Sequence, residues 1–108
     1  MKLKEEDLPQ TDGEWEYNRY TCWHSTLNGQ THNSLGPAVI YDNGRKEWCI
    51  DGKLHRLDGP AVEYANGFKA RYVDGKRILE QDFSSAVISF LLGVDRKIAE
   101  LIEQEIEQ

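Results

Sequence analysis

Apolar and polar residues alternate along much of the chain as far as Leu79, which is the pattern of β-strands. The alternation runs through residues 14–24 and on both sides of Asn43-Gly44 and Asn66-Gly67. Asn-Gly between alternating segments predicts a two-residue type I′ hairpin turn, because both central residues need φ > 0. We therefore predict two hairpins, preceded by one long strand or a degenerate hairpin that turns near Asn18-Arg19.

The predicted turns fix a strand register and two sheet faces. With Asn43-Gly44 at the turn centre, Val39 pairs with Trp48, and the second turn likewise pairs Val62 with Arg71. Alternation then predicts one face of large, aromatic and cationic residues: Val39, Tyr41, Lys46, Trp48, Ile50, Val62, Tyr64, Lys69, Arg71 and Val73. The opposite face has smaller residues, which suits packing by a helix: Ala38, Ile40, Glu47, Cys49, Ala61, Glu63, Ala70 and Tyr72.

After residue 82 the apolar positions follow a helical period. Asp82 or Ser84 is the predicted N-cap of a first helix, which Gly93 ends or kinks. Asp95 caps a second helix whose apolar positions include Ile98 and Ile102. A helix of this length is barely stable alone, so it must dock on the sheet, on a second copy or on a partner.

The middle of the chain is an internal repeat with a constant period. Asn28-Gly29, Asp51-Gly52 and Asp74-Gly75 are equally spaced, and Gly36-Pro37-Ala38-Val39 recurs at the same spacing as Gly59-Pro60-Ala61-Val62. We predict an α+β fold, an antiparallel β-meander of hairpin repeats with C-terminal helices. Its parts are an N-terminal extension (1–12), a repeat sheet (13–79) and a helical segment (80–108).

The second copy, residues 51–64, reads Asp-Gly-Lys-Leu-His-Arg-Leu-Asp-Gly-Pro-Ala-Val-Glu-Tyr and resembles the MORN-like repeats of phage and large-virus proteins. The resemblance covers residues 27–79. The first copy departs from the family pattern at residues 30–33 and at Leu35, and Arg71 stands where the pattern has Trp. The resemblance implies no enzyme and no cofactor. It implies a phage-encoded protein that acts in the infected bacterium, where it engages or inhibits a host protein, for example one of the host's defence proteins.

Charge and composition narrow the function classes. The net charge of −6 divides into −3 for residues 1–26, +2 for 27–79 and −5 for 80–108. Acidic ends argue against direct nucleic-acid binding, which depends on neutralising phosphates. No apolar run reaches the roughly 18 residues of a membrane span, and no apolar core follows the N-terminal lysines, so we expect no signal peptide. We expect a cytoplasmic protein with both cysteines reduced.

The chemistry-bearing residues do not form a recognisable catalytic or metal motif. His32 and His55 are repeat equivalents expected about 9–10 Å apart, which is too far to share one metal ion. We expect each histidine to bond its own repeat's turn. Asp58 precedes Gly59-Pro60, where an Asx-type turn explains it better than acid–base chemistry. We therefore predict no metal, no cofactor and no enzymatic activity.

The remaining candidates are surfaces for protein partners. Aromatic and cationic residues of the predicted larger face have the composition of an interface centre: Tyr41, Trp48, Tyr64, Lys69 and Arg71. The second helix carries candidates for either self-assembly or mimicry of a nucleic acid: Ile98, Glu100, Ile102, Glu103 and Glu107. The hypothesis is a non-catalytic protein-binding module directed at a host bacterial protein. The alternatives are a self-assembling homo-oligomer or an acidic mimic.

Overall fold

The computed structural model describes residues 2–18 and 21–107, with the Glu107 side chain outside the description. The described strands are β1 (Glu14–Asn18), β2 (Cys22–Leu27), β3 (Gln30–Thr31), β4 (Val39–Tyr41), β5 (Lys46–Glu47), β6 (Cys49–Ile50), β7 (Lys53–Leu54), β8 (Val62–Glu63), β9 (Lys69–Val73) and β10 (Lys76–Ile78). The helices are α1 (Phe83–Leu92) and α2 (Arg96–Glu107), with 3-10 turns at Glu5–Asp7 and Glu80–Asp82. The predicted α+β meander is confirmed.

The strands form one antiparallel sheet in the order β1-β2-β4-β5-β8-β9-β10, while β3 pairs with β2 and β6 pairs with β7. Each long hairpin is thus hydrogen-bonded to the next one along the chain. The molecule measures 48 × 31 × 19 Å. Because packed sheets lie about 10 Å apart, a thickness of 19 Å fits a single sheet with a cover of helix or chain on one face.

The structure contains three related hairpins instead of the two that the Asn-Gly turns predict. β1 and β2 pair from Glu14↔Thr26 to Asn18↔Cys22, in the place that β4/β5 and β8/β9 occupy in the two later copies. The degenerate upstream hairpin is therefore the correct alternative. Arg19, one of the two residues of its predicted turn, lies outside the described residues.

The type I′ turns lie at the other set of Asx-Gly pairs. Asn28, Asp51 and Asp74 have φ of 53°, 49° and 52°, and the glycine after each also has positive φ. Two consecutive residues with positive φ are the signature of a type I′ turn. These turns close the short hairpins β2/β3, β6/β7 and β9/β10.

The predicted register at Asn43-Gly44 is wrong by one residue. Val39 pairs with Glu47 and Ile40 with Lys46, because the loop has three residues instead of two. The Gly44 N–H donates to the Tyr41 carbonyl, and Gly44 alone in this loop has positive φ, at 99°. This is a type I turn followed by a glycine bulge. The second hairpin repeats the arrangement, so that Val62 pairs with Ala70 instead of Arg71.

The corrected register changes the composition of both faces, because a one-residue slip turns a strand over. One face, here named the Val62 face, carries four residues that are paired one after another across neighbouring strands: Val39, Glu47, Val62 and Ala70. The opposite face is named the Trp48 face. It carries the tryptophans and several charged residues: Trp15, Trp23, Lys46, Trp48, Glu63, Lys69 and Arg71. The prediction that positions 39, 48, 62 and 71 share a face is wrong.

Each repeat histidine binds the turn of the following repeat, and not its own turn as predicted. The Asp51 N–H donates to Nδ1 of His32 at 3.0 Å, and the Asp74 N–H donates to Nδ1 of His55 at 2.8 Å. The Gly52 N–H also donates to the Thr31 carbonyl. Successive short hairpins are therefore stacked through the same set of hydrogen bonds.

The N-terminal extension covers the first hairpin on the Trp48 face. The indole N–H of Trp23 donates to the Leu3 carbonyl and that of Trp15 donates to the Pro9 carbonyl, both at 2.9 Å. Trp23 is only 7% exposed, and its ring meets Tyr17 edge-on with 5.3 Å between centroids. The extension thus supplies the acceptors that buried indoles require.

Helix α1 covers the other end of the Trp48 face, and not the smaller-residue face that the sequence suggested. The Arg71 guanidinium lies 4.2 Å from the centre of the Phe83 ring, and Val73 borders α1 beside Ala86. Gly93 ends the helix in the left-handed conformation with φ of 66°, as predicted. No described helix has the length and apolar character needed to cross a membrane.

Helix α2 packs on α1 through a small residue and turns several large apolar side chains outward. Asp95 caps it as predicted, since its carboxylate accepts from the Ile98 N–H at 2.9 Å. Ala99 is fully buried, whereas Ile98 and Leu101 are 45% and 60% exposed. The apolar stripe predicted from the helical period is therefore only partly covered by the rest of the chain.

Candidate functional site

A groove of about 620 Å³ crosses the middle of the Trp48 face. Trp48 and Ile50 form its floor, residues 33–37 form one wall, and residues 55–58 with Phe90 of α1 form the other. The N-terminal extension and α1 cover the two ends of this face, and the groove lies between them. We name it the Trp48 groove.

The floor of the groove is made rigid by Arg56. Its guanidinium lies 4.1 Å from the centre of a Trp48 ring, within cation–π range. The same group pairs with Asp58 at 2.9 Å and Glu63 at 3.5 Å, and it donates to the Pro60 carbonyl at 3.0 Å. Arg56 is therefore fully paired, and with Asp58 and Glu63 it leaves a net charge of −1 beside the aromatic floor.

The walls expose large apolar side chains on both sides of Trp48. Leu35 is 62% exposed on one wall and Phe90 is 45% exposed on the other. The indole N–H of Trp48 meets no acceptor within residues 2–18 and 21–107, in contrast to those of Trp15 and Trp23. An apolar rim around a free donor has the composition that protein partners recognise.

One carboxylate of the extension is held by a set of donors that we name the Asp12 clamp. The Asp12 carboxylate accepts from Nε2 of His32 at 2.8 Å, from the Ser34 N–H at 2.8 Å and from the Ser34 hydroxyl at 2.9 Å. The pKa of Asp12 lies well below its ordinary value, mainly because the carboxylate accepts from the Ser34 backbone N–H. Burial opposes this change, and the hydrogen bonds from the His32 and Ser34 side chains add to it. The clamp fastens the extension to the loop that begins the groove wall.

His55 is the repeat equivalent of His32 but has a different environment. Its ring packs against Phe90 with 4.6 Å between centroids. Burial lowers the pKa of His55, partly offset by the nearby Asp74 carboxylate. The ring is therefore neutral at pH 7, and since Nδ1 accepts from the Asp74 N–H, Nε2 carries the proton.

The five candidate interface residues do not form one surface. Tyr41 and Tyr64 lie on the Val62 face, where the Arg45 guanidinium sits 5.2 and 4.9 Å from their ring centres. Arg71 lies on the Trp48 face but is occupied, because it pairs with Glu80 at 2.6 Å and stacks on Phe83. Lys69 is exposed on the Trp48 face outside the groove. Of these candidates, Trp48 alone lines the groove.

The helix candidates are likewise split between surface and interior. Ile98 and Glu100 are exposed, whereas Ile102 is half-buried. Glu103 is also half-buried, and its Oε2 is a buried atom without a hydrogen-bond partner among the described residues. The side chain of Glu107 lies outside the description. The acidic residues therefore do not make one exposed stripe, and this geometry lends no support to nucleic-acid mimicry.

The two cysteines are buried in a small cluster with Val39 and Ala38. Burial, with a smaller effect of the Glu47 carboxylate, raises the pKa of Cys49 to about 12. Burial also raises the pKa of Cys22. Both thiols are therefore protonated at pH 7, which makes them poor nucleophiles. Within the described chain no three His, Cys, Asp or Glu side chains converge as a metal site would require.

Sequence reasoning missed the most informative residues of this region. It singled out neither the groove nor the donor at Nε2 of His55, and it gave Asp12 no role. The repeat equivalence of His32 and His55 was the available signal. The same period shows that Leu35 stands at the position of Asp12, but it does not show that Asp12 lies beside His32.

Comparisons with known proteins leave the family open. No protein-family model matches the chain, and neither the curated proteins nor the solved structures that were compared contain a match. The resemblance to MORN-like repeats therefore rests on the sequence motifs of residues 27–79 alone.

Proposed function

We propose that the chain is a non-catalytic protein-binding module that captures an extended segment of a partner protein in the Trp48 groove. The observation that carries the proposal is the uneven cover of one sheet face. The chain's own extension lies over the first hairpin, α1 lies over the third, and the second is left open at Trp48. The extension itself is the example of what this face accepts, namely a chain segment outside the strands that is held through its carbonyls and one carboxylate.

The composition of the groove supports a protein segment as its occupant. Tryptophan and arginine, the residue types of Trp48 and Arg56 at the centre, are enriched among the residues that dominate binding energy at protein interfaces, and the exposed Leu35 and Phe90 add apolar surface around them. The resemblance to phage proteins favours a host bacterial protein as the partner, with inhibition of that protein as the outcome. Arg56 is paired with Asp58 and Glu63, so it offers no free cation in the groove.

Substituting Leu35 with Glu is the first test, because it places a charge on the groove wall without touching the core. A random peptide library is selected on the unmodified protein, and the selected peptides are titrated against the variant. We expect binding to weaken at least about tenfold, since burial of a leucine side chain contributes about 1.5–3 kcal/mol.

Phe68→Glu is the matched control for this titration, because Phe68 is 71% exposed at the tip of a distant hairpin. We expect the selected peptides to bind this variant as they bind the unmodified protein. Peptides that bind Leu35→Glu and Phe68→Glu equally well would show that the Trp48 groove is not the binding surface.

Self-association through α2 is a second candidate function, favoured by the charge pattern of that helix. Lys97 and Glu105 lie four residues before and after Leu101, and all three are exposed. An antiparallel pair of α2 helices centred on Leu101 would therefore set each Lys97 against Glu105 of the second copy. The acidic residues lie toward the C-terminal end of α2, where the helix dipole disfavours them, and an antiparallel neighbour offsets this cost.

Exchanging the charges of Lys97 and Glu105 tests whether these ion pairs, and not apolar contact alone, hold the antiparallel α2 helices together. We expect Lys97→Glu to weaken dimerisation about tenfold, because it replaces two symmetry-related attractions by repulsions. Adding Glu105→Lys should restore the original affinity, since the pairs are re-formed with reversed sign. Sedimentation equilibrium measures both. An unmodified protein that stays monomeric, or a double variant as weak as the single one, argues against the antiparallel dimer.

A further inference from the structure

The strongest unexplained feature outside the function proposed above is a pair of hydrogen-bond donors that the second repeat leaves without partners. In the first repeat, Nε2–H of His32 and the backbone N–H of Ser34 converge on the Asp12 carboxylate. Their equivalents in the second repeat are Nε2–H of His55 and the N–H of Leu57. Among the described residues neither has an acceptor.

The direction of the His55 donor is fixed by the repeat. Both histidines accept a backbone N–H from the following type I′ turn at Nδ1, so both rings are held by the same bond. A neutral imidazole that accepts at Nδ1 must donate at Nε2. His55 and Leu57 both line the Trp48 groove, so a ligand there can reach this part of the chain.

The chain's own carboxylates near this place are already engaged. Asp58 pairs with Arg56 at 2.9 Å, and Asp74 lies 3.5 Å from Lys53. The position that corresponds to Asp12 in the second repeat is occupied by Leu35, which lines the groove with His55 and Leu57 and whose side chain has no hydrogen-bond acceptor. An acceptor for His55 must therefore come from outside the chain.

We infer that His55 and the Leu57 N–H form a carboxylate-binding site, built on the plan of the Asp12 clamp and filled by an acidic group of the segment captured in the Trp48 groove. This site rests on the proposed function, because its ligand is part of the segment captured in the Trp48 groove. It adds the chemical class of that ligand, a carboxylate. One difference from the first repeat is Leu57 in place of Ser34, which removes the hydroxyl donor. The second site therefore offers two donors where the first offers three.

The test uses three synthetic peptides as probes of the full chain. The first is the acetylated and amidated sequence of residues 8–13, Leu-Pro-Gln-Thr-Asp-Gly. The second replaces its Asp by Asn, and the third ends at the Thr with a free C-terminal carboxylate. NMR shifts of the His55 ring nitrogens and the Leu57 amide report binding. We expect the Asp peptide to bind at least about tenfold more tightly than the Asn peptide, because hydrogen bonds to a charged acceptor are the stronger ones.

The third peptide distinguishes the two sources of a carboxylate. Binding of the Asp peptide alone assigns the site to an acidic side chain, and tighter binding of the third peptide assigns it to a chain terminus. His55→Gln should abolish the difference between the Asp and Asn peptides, while His24→Gln, a substitution on the Val62 face, should leave it unchanged. The Asp74 amide signal shows whether the following turn is intact in His55→Gln.

The inference is overturned if the Asp and Asn peptides shift the His55 and Leu57 signals equally, or if the peptides shift His32 instead. The first result leaves the proposed function standing when library peptides remain sensitive to Leu35→Glu, because the groove would then bind segments without reading a carboxylate. If the Asp and Asn peptides behave alike and the library peptides are also insensitive to Leu35→Glu, the Trp48 groove is not a binding site.

Discussion

Replacing Trp23 with Ala is expected to lower the free energy of unfolding by about 3–5 kcal/mol, the range for removing a buried aromatic side chain. Trp23 is nearly buried, meets Tyr17 edge-on and donates to the Leu3 carbonyl. The substitution leaves a cavity on the Trp48 face and removes one anchor of the N-terminal extension. Urea denaturation measures the loss.

Trp48→Ala is the matched control for that measurement. Trp48 is only half-buried, and its indole N–H bonds to no described residue, so we expect a cost of about 1–2 kcal/mol. Limited proteolysis should cut the extension faster in Trp23→Ala than in Trp48→Ala. Equal losses of stability in the two variants would mean that the extension does not contribute to the fold as its contacts indicate.

Replacing His32 with Ala is expected to cost about 2–4 kcal/mol, since the change leaves two polar groups without their partner and creates a cavity. His32 is buried and joins three parts of the chain. It accepts from the Asp51 N–H and donates to the Asp12 carboxylate. The loss therefore affects the stacking of the short hairpins and the docking of the extension together.

The equivalent substitution His55→Ala isolates the contribution of the carboxylate. His55 has the same bond to the following turn but no acidic partner at Nε2 among the described residues, so its replacement should cost only about 1 kcal/mol. Thermal unfolding of both variants gives the comparison. A loss for His55→Ala as large as that for His32→Ala would indicate that the Asp12 clamp adds nothing to stability.

The repeat period predicted the hairpins well but not their register. Asn43-Gly44 and Asp51-Gly52 look equivalent in sequence, yet the first belongs to a three-residue loop and the second to a two-residue turn. An Asx-Gly pair is compatible with both loops, because each needs a glycine with positive φ. The choice depends on how neighbouring strands pair, which is not encoded locally. One shifted residue was enough to separate Trp48 from Tyr41.

The helical tail and the extension show two other limits of prediction. The helical period located α1 and α2, but it left open whether the large apolar residues dock on the sheet, on a second copy or on a partner. The structure buries Ala86 and Ala99, since small residues allow the closest approach. The Asp12 clamp could not be predicted, because its partners His32 and Ser34 are distant along the chain and the equivalent position of the next repeat is Leu35, which cannot make these bonds.

The stacking of short hairpins also sets how many copies the sheet can contain. Each copy that is followed by another offers a histidine ring nitrogen to the next turn, as His32 and His55 do. The next equivalent position after His55 is Ile78, which has no such atom, and the chain then leaves the sheet through the 3-10 turn at Glu80–Asp82. Growth of the array therefore stops at the third copy. A further copy inserted before the last one would meet a histidine Nδ1 of the preceding copy and the type I′ turn of the following copy. The length of this protein can therefore change by whole repeats without a change at either end of the sheet.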